Sequence, residues 1–180
     1  MDMLEGEIRG ELSKSERKAV RKQGMLLANL YGRKTPNVYA TFKINDFIRF
    51  VKHKPNLDFM VKIGENAYNV VIQSYQKDPI SNTLMHVDLM VLQKGVKSKF
   101  YIPVKIHGVA VGIKNKGILM LSKHRIHVEC TPEHLFSNFD LDVSNLDVGD
   151  AILVRDLQIP AHVKVLENPN NAVVGVIKAK

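Results

Sequence analysis

The stretch QSYQKDPISNTLMHVDL, residues 73–89, gathers an unusual set of side chains. It holds two amides, Gln73 and Gln76, a cation, Lys77, an imidazole, His86, and a carboxylate, Asp88. Its second half alternates. Met85, Val87 and Leu89 point to one side of a strand and His86 and Asp88 to the other, because successive strand side chains face opposite ways. Four chemistries fit this pattern. His86 and Asp88 are a candidate metal pair, but a site needs about three or four ligands. The remaining histidines, His53, His107, His124, His127, His134 and His162, show no zinc-type spacing with them. The pair is also a candidate general base for a hydrolase, which requires a nucleophile or a substrate pocket. Ser74 and Ser81 are close in sequence, yet nothing marks either as activated. A surface polar pair at a strand end, with no further role, is the plainest reading. The fourth is nucleobase reading. Gln both donates and accepts, Asp accepts from base amino groups, and His donates to a phosphate or a base edge. Phosphates repel Asp, so among basic neighbours it suits a base better than a backbone.

Two basic segments lie upstream. In SKSERKAVRKQG, residues 13–24, Lys14, Lys18 and Arg21 fall at i, i+4 and i+7, on one face of a helix. Ser13 and Ser15 flank Lys14 and can donate to phosphate, as can the amides of a helix start. In LYGRK, Tyr31 precedes a glycine and two cations, Arg33 and Lys34. An aromatic beside cations offers a stacking or ribose-packing surface edged by phosphate contacts. A charge run is more often a solvated helix face, so each segment alone is a weak signal. The formal net charge of +8 and pI of about 9.5 favour a polyanionic partner, with nucleic acid first.

The elements that must position these groups are mostly strands. At 180 residues and 45% apolar, the chain can bury one large core or two small ones. MLEGEIRGEL, residues 3–12, alternates weakly and reads as a strand. Ser13 and Glu16 have capping-box spacing, which starts a short helix that Gly24 stops. MLLANLYG reads as a short buried strand. NVYATFKI reads as a strand with Val38, Ala40, Phe42 and Ile44 inward, followed by a helix over DFIRFVKH capped by Asn45 and closed by Pro55. LDFMVKI and AYNVVIQSY form a hairpin, and TLMHVDLMVL is the last strand of the first half. A polar junction, QKGVKSK, follows, and it divides the chain into a domain over residues 1–92 and a second, mainly-β domain over residues 93–180. In the second half, GVAVGIKNKG reads as a hairpin with a bulge glycine, because it lacks the ending of a phosphate loop. Thr131 and Pro132 start one helical turn. Residues 94–125 carry eight Lys and Arg and no acid, whereas residues 129–167 carry eight acids and only Arg155 and Lys164 as cations. Chain order alone leaves open whether these form two poles in space.

The single cysteine, Cys130, shares a strand face with Ile126 and Val128 and reads as a small buried hydrophobe. One cysteine allows no internal disulfide, which suits a reducing cytoplasm. No secretory leader is visible at the acidic N-terminus, and no apolar run approaches the ~20 residues of a membrane span. No cofactor, metal or small-molecule substrate is expected.

Taken in order, the pieces GEIRGELSKSERKAVRKQG, LYGRK, VVIQSYQKDPISNTLMHVDL, IPVKIHGVAVGIKNKGIL, LDVSNLDVGDAILVRDLQIP and a closing VVGVI span nearly the whole chain. In this combination the chain resembles the bacterial 5S-rRNA-binding large-subunit ribosomal proteins, in the long two-domain form called Ctc or general stress protein. The resemblance implies a mainly-β fold: an N-terminal β-barrel with short helices that grips 5S rRNA, then a second mainly-β domain. It implies a cytoplasmic, ribosome-associated protein that is not an enzyme, with large-subunit rRNA and proteins as partners. It also implies RNA contacts at Arg9, Lys14, Lys18, Arg21, Tyr31, Gln73, Gln76, Lys77, His86 and Asp88. There the cations would meet phosphates, Tyr31 the sugar–base surface, and the Gln, His and Asp side chains the base edges. The chain departs from the family pattern at Ser13 and Ser15, which stand for glycines, and at Ala19, Lys18 and Lys77, which stand for arginines. Leu27 stands for a proline. Arg-to-Lys changes weaken bidentate phosphate binding.

Overall fold

The computed structural model describes residues 3–33, 35–54 and 56–178. The chain divides into two compact units between Val96 and Lys97. The first is a closed barrel of six strands, β1 (Leu4–Ile8), β2 (Met25–Tyr31), β3 (Val38–Lys43), β4 (Asp58–Ile63), β5 (Asn66–Lys77) and β6 (Leu84–Val91), in the order β1-β3-β2-β6-β5-β4. Helix α1 (Lys14–Lys22) joins β1 to β2, and α2 (Ile44–His53) joins β3 to β4. Two of the pairings are parallel. β1 lies along β4 with Leu4 opposite Val61, and β2 lies along β6 with Leu27 opposite His86.

Local chemistry sets the ends of these elements. Ser13 caps α1: its hydroxyl accepts from the Glu16 amide, and the Glu16 carboxylate accepts from the Ser13 amide at 2.7 Å. Gly24, at φ +77°, stops the helix in a conformation that costs glycine least. α2 differs from the sequence expectation. It begins at Ile44, its N-cap is Lys43, and no side chain caps it, so Asn45 lies inside the helix. Ile44, expected to end a strand, instead packs against the barrel core from the first turn of α2. Pro55, expected to close this helix, lies outside the described residues. β4 and β5 form the expected hairpin with Ile63 opposite Asn66, turning on Gly64 at φ +60° and Glu65.

The barrel interior is filled by alternate residues. Leu26, Leu30, Phe42, Val61, Ile63, Val70, Val87 and Leu89 are almost fully buried. α2 closes the barrel with Phe47, whose ring lies 5.8 Å from that of Phe42. Gly6 makes room for this packing: a Cβ there would stand 2.4 Å from Cε1 of Phe42.

The second unit holds a four-stranded sheet and a three-stranded sheet. The first contains β7 (Ser98–His107), β9 (Arg125–Cys130), β10 (Phe139–Asp142) and β12 (Lys164–Val165), in the order β10-β7-β9-β12. The second contains β8 (Gly117–Leu121), β11 (Ala151–Leu153) and β13 (Ala172–Lys178), in the order β11-β13-β8. Cys130 is buried beside Ile126 and Val128, as expected, and burial pushes its thiol pKa up. Thr131 precedes a single 3-10 turn at Pro132–His134.

GVAVGIKNKG is not a hairpin. Val111–Lys114 forms one helical turn, α3, and β8 then pairs with β13 rather than with β7. Two glycines allow this close approach. A Cβ on Gly112 would meet Val176 at 2.7 Å, and one on Gly117 would meet the Gly112 carbonyl at 2.6 Å. The basic and acidic stretches do not form two poles in the four-stranded sheet. Lys105 pairs in register with Asp140, Lys99 and Lys164 both with Glu129, and Lys123 forms an ion pair with Glu167. Among the described residues no helix is long and apolar enough to cross a membrane.

Replacing Gly6 with Ala should lower stability by about 1–3 kcal/mol through overpacking against Phe42. Urea unfolding midpoints check this, and adding Phe42→Leu should recover part of the loss. An unchanged midpoint for Gly6→Ala would contradict the packing described.

Candidate nucleic-acid interface

The interface candidates belong to the outward residues of neighbouring barrel strands. On β6, Val87 and Leu89 are buried in the core, so His86 and Asp88 face out and are each partly exposed. The parallel pairing sets Asn29 of β2 beside Asp88 and Leu27 beside His86. On the other flank, the antiparallel β5 sets Ser74 opposite Asp88 and Gln76 opposite His86. The register shifts between Ile72 and Ser74, so Gln73 is the extra residue of a bulge. One face therefore carries Tyr31 and Asn29, then His86 and Asp88, then Gln73, Ser74 and Gln76.

The polar groups on this face hold one another in place. The Ser74 hydroxyl donates to Oδ2 of Asp88, and Nδ1 of His86 lies 3.4 Å from Oδ1 of the same carboxylate. Burial lowers the His86 pKa below its ordinary value; Asp88 pulls it back up, and Arg9 adds to the lowering. At neutral pH the ring is uncharged, with one donor and one acceptor. Burial, then Asp88, pushes the Tyr31 phenol up. At the far end of β5 and β6, Asp78 accepts from the amides of Ile80 and Ser81, each at 2.9 Å. These bonds hold the Asp78 carboxyl below its usual range, with Arg21 contributing last.

The cations edge the face from two sides. Arg9 continues β1: its amide donates to the Tyr39 carbonyl and its Nε to Ala40 O at 3.3 Å, while its guanidinium lies 4.9 Å from the Tyr39 ring centroid. Burial draws Arg9 below its usual pKa, Tyr39 opposes this, and Arg17 adds to it. Arg21 reaches β6, where Nη1 donates to Sδ of Met85 at 3.5 Å. Lys77 is exposed, with Nζ 5.7 Å from the Tyr75 ring centroid. Lys14 and Lys18 are exposed on the side of α1 turned away from half-buried Val20. They lie near the face along the chain but touch none of its groups in the described hydrogen bonds or ion pairs. Lys34 lies outside the described residues.

This geometry argues against hydrolysis. In a nucleophilic triad the serine gives its proton to the histidine. Here Ser74 bonds to the carboxylate instead, so His86 does not activate it. Neither described cavity includes His86 or Asp88. Among the described residues no cluster of three or more His, Cys, Asp or Glu is arranged for a metal ion.

Comparison with known proteins agrees with the barrel-plus-second-unit architecture. Residues 4–89 match the Ribosomal L25p family, and residues 97–180 match the ribosomal protein TL5 C-terminal domain. Over 178 residues, 99% of this chain and 100% of the relative, the chain is 58% identical to large ribosomal subunit protein bL25 of Wolinella succinogenes. It is 54% identical over the same span, with the same coverage, to the bL25 proteins of Helicobacter acinonychis strain Sheeba and Helicobacter pylori strain J99. The chain belongs to the bL25 family. This is a family of ribosomal structural proteins, not of enzymes.

Within this bL25 fold the structure brings together Tyr31, Gln73, Gln76, His86 and Asp88, with Arg9 and Arg21 at the edges. Three further residues take roles in space that the sequence reading did not assign them, Ser74 having been weighed there only as a nucleophile. Ser74 orients Asp88. Arg17, on the α1 flank, acts electrostatically on Arg9. Asn29 stands between Tyr39 and Asp88 in register, and its Oδ1 is buried with no hydrogen-bond partner. The signal for Asn29 was a lone amide in the apolar run MLLANLY.

The lowered His86 pKa has a definite sign. The unfolded chain binds that proton more readily than the native one, so the ring costs stability as pH falls below the ordinary histidine range and nothing above it. NMR titration of the imidazole should give a midpoint below 6.5. Asp88→Asn, which removes the carboxylate that raises it, should move the midpoint lower still. A midpoint above the ordinary value in the native protein would contradict the burial described.

Proposed function

We propose that this protein is a large ribosomal subunit component that binds 5S rRNA with its barrel unit, while its second unit serves as a scaffold toward neighbouring rRNA or protein. The observation that carries this reading is the outward β2-β6-β5 face. It presents a fixed carboxylate, an uncharged imidazole, amides and a phenol, with guanidinium groups at its edges.

These groups suit RNA. An A-form helix shows a wide, shallow minor groove with 2′-hydroxyls and base edges, and irregular loops expose more of both. Asp88, held by Ser74, can accept from a hydroxyl or an amino group but not from a phosphate. Neutral His86 and the amides of Gln73 and Gln76 match mixed donor and acceptor edges. Tyr31 offers a flat surface for a sugar or base. Arg9 and Arg21, with Lys14, Lys18 and Lys77 outside them, suit the phosphates that flank such a groove. The names of the bL25 relatives place those proteins in the large subunit, which supports the same placement here.

Gel-shift titration with purified 5S rRNA against a tRNA control, at several salt concentrations, tests this. Binding should prefer 5S rRNA and weaken with salt as phosphate counterions are released. Lys14→Ala should weaken binding and flatten the log–log salt slope by about one. Asp88→Ala should weaken binding to 5S rRNA by about 1–3 kcal/mol and leave the slope nearly unchanged. Equal affinity for both RNAs, or unchanged binding by both variants, would reject the assignment.

A further inference from the structure

A groove of about 1010 Å3 runs between α2 and the strands β1 and β4. In barrel order β4 is three strands from β2, and none of the side chains of the nucleic-acid face lines the groove. Phe50, Phe59 and Met60 make its wall apolar, and Lys54 lines it at the end of α2.

The setting of Lys54 is unusual for a lysine. Its side chain is half-buried, with Nζ 4.4 Å from the Phe59 ring centroid and donating to the Leu57 carbonyl. Among the described residues no carboxylate lies within ion-pair distance. Cations are rarely held this way without an acid, since burial penalises the charged form. The charged and titratable groups around the groove are Glu5 of β1, Asp46, Arg49 and His53 of α2, and Asp58 of β4. Asp58 is partly engaged, because its Oδ2 accepts from Nδ2 of Asn69 at 3.2 Å. Burial, against the pull of Asp58, brings the amine down to about 8.

We propose that Lys54 is a site of N-acylation by small acyl phosphates, with the groove receiving the donor. The neutral amine attacks the carbonyl carbon of the donor. A C–N bond forms, the acyl C–O bond breaks, inorganic phosphate leaves with the electron pair, and the amine proton passes to water. Arg49 and His53 line the same groove and can hold the phosphate group, and the aromatic wall can take a short acyl chain. The amide product removes a poorly solvated charge.

The test uses the folded full-length protein and limiting acetyl phosphate, with the occupancy of each lysine followed by mass spectrometry from neutral to alkaline pH. A drop from 10.5 to about 8 raises the neutral fraction near neutrality by about 300-fold. Lower basicity and partial burial return some of that gain, so Lys54 should acylate about tenfold faster than Lys18 or Lys52. Its rate should level off above about pH 8 while theirs keep rising. In denaturant the lead should vanish. An Arg49→Ala variant should slow the reaction with acetyl phosphate but not with acetic anhydride. If Lys54 reacts no faster than Lys52 in the folded protein, or keeps its lead in denaturant, the site is overturned. An equal effect of Arg49→Ala on both reagents would overturn acyl phosphates as the donor class.

Discussion

The parallel pairing of β2 with β6 is the constraint on which the first unit depends. It joins strands more than fifty residues apart in the chain, and it closes the barrel between the β3 side and the β5 side. The same ladder that buries Ala28, Leu30, Val87 and Leu89 on one side sets Asn29 and Tyr31 next to Asp88 and Met90 on the other. A one-residue slip would turn every one of these side chains to the wrong face. Core packing and the recognition face are therefore specified by one register. The buried aliphatic residues hold the polar residues at fixed spacing without touching the partner themselves.

A second theme is how Asp88 is kept ready. A partly exposed carboxylate on a basic protein tends to be captured by a nearby cation. Here its described contacts are the Ser74 hydroxyl, which donates to it, and the His86 imidazole, 3.4 Å away. Arg9 is engaged by backbone carbonyls and the Tyr39 ring, and Arg21 by the sulfur of Met85. The cations are thus anchored a short way off, at the rim, and the acid keeps lone pairs free to accept. That division fits a surface on which different groups meet different parts of one polyanion.

What the sequence made legible was local. Ser13 and Glu16 marked a helix start because a cap is a four-residue pattern. Alternation in TLMHVDLMVL separated the inward from the outward residues, and Gly64 lay in the turn of a hairpin between neighbouring strands. Barrel closure follows from pairings between distant strands, which no short-range period encodes; the mainly-β barrel came from the family resemblance. The helical turn at Val111–Lys114 escaped because its glycine, Gly112, and Gly117 after it are explained by Val176, about sixty residues away in the chain. Asn45 looked like a cap because it is a good capping residue, yet the helix starts one residue earlier, where Ile44 packs on the core and no side chain caps it. Arg17 and Asn29 escaped because their relevance lies in what stands across from them in space.

Closure has one more effect, on how the chain meets other chains. A sealed ring of strands leaves no open ladder of amides and carbonyls, so the barrel offers no template for a foreign strand. Among its described residues the second unit has four outer strands, and two of them, Ala151–Leu153 and Lys164–Val165, are too short to recruit one well. Of the others, Phe139–Asp142 carries the acids Asp140 and Asp142 as gatekeepers, whereas Gly117–Leu121 shows Ile118 and Met120 to solvent. Among the described outer strands of this unit, Gly117–Leu121 is thus the one whose margin is neither very short nor guarded by acids.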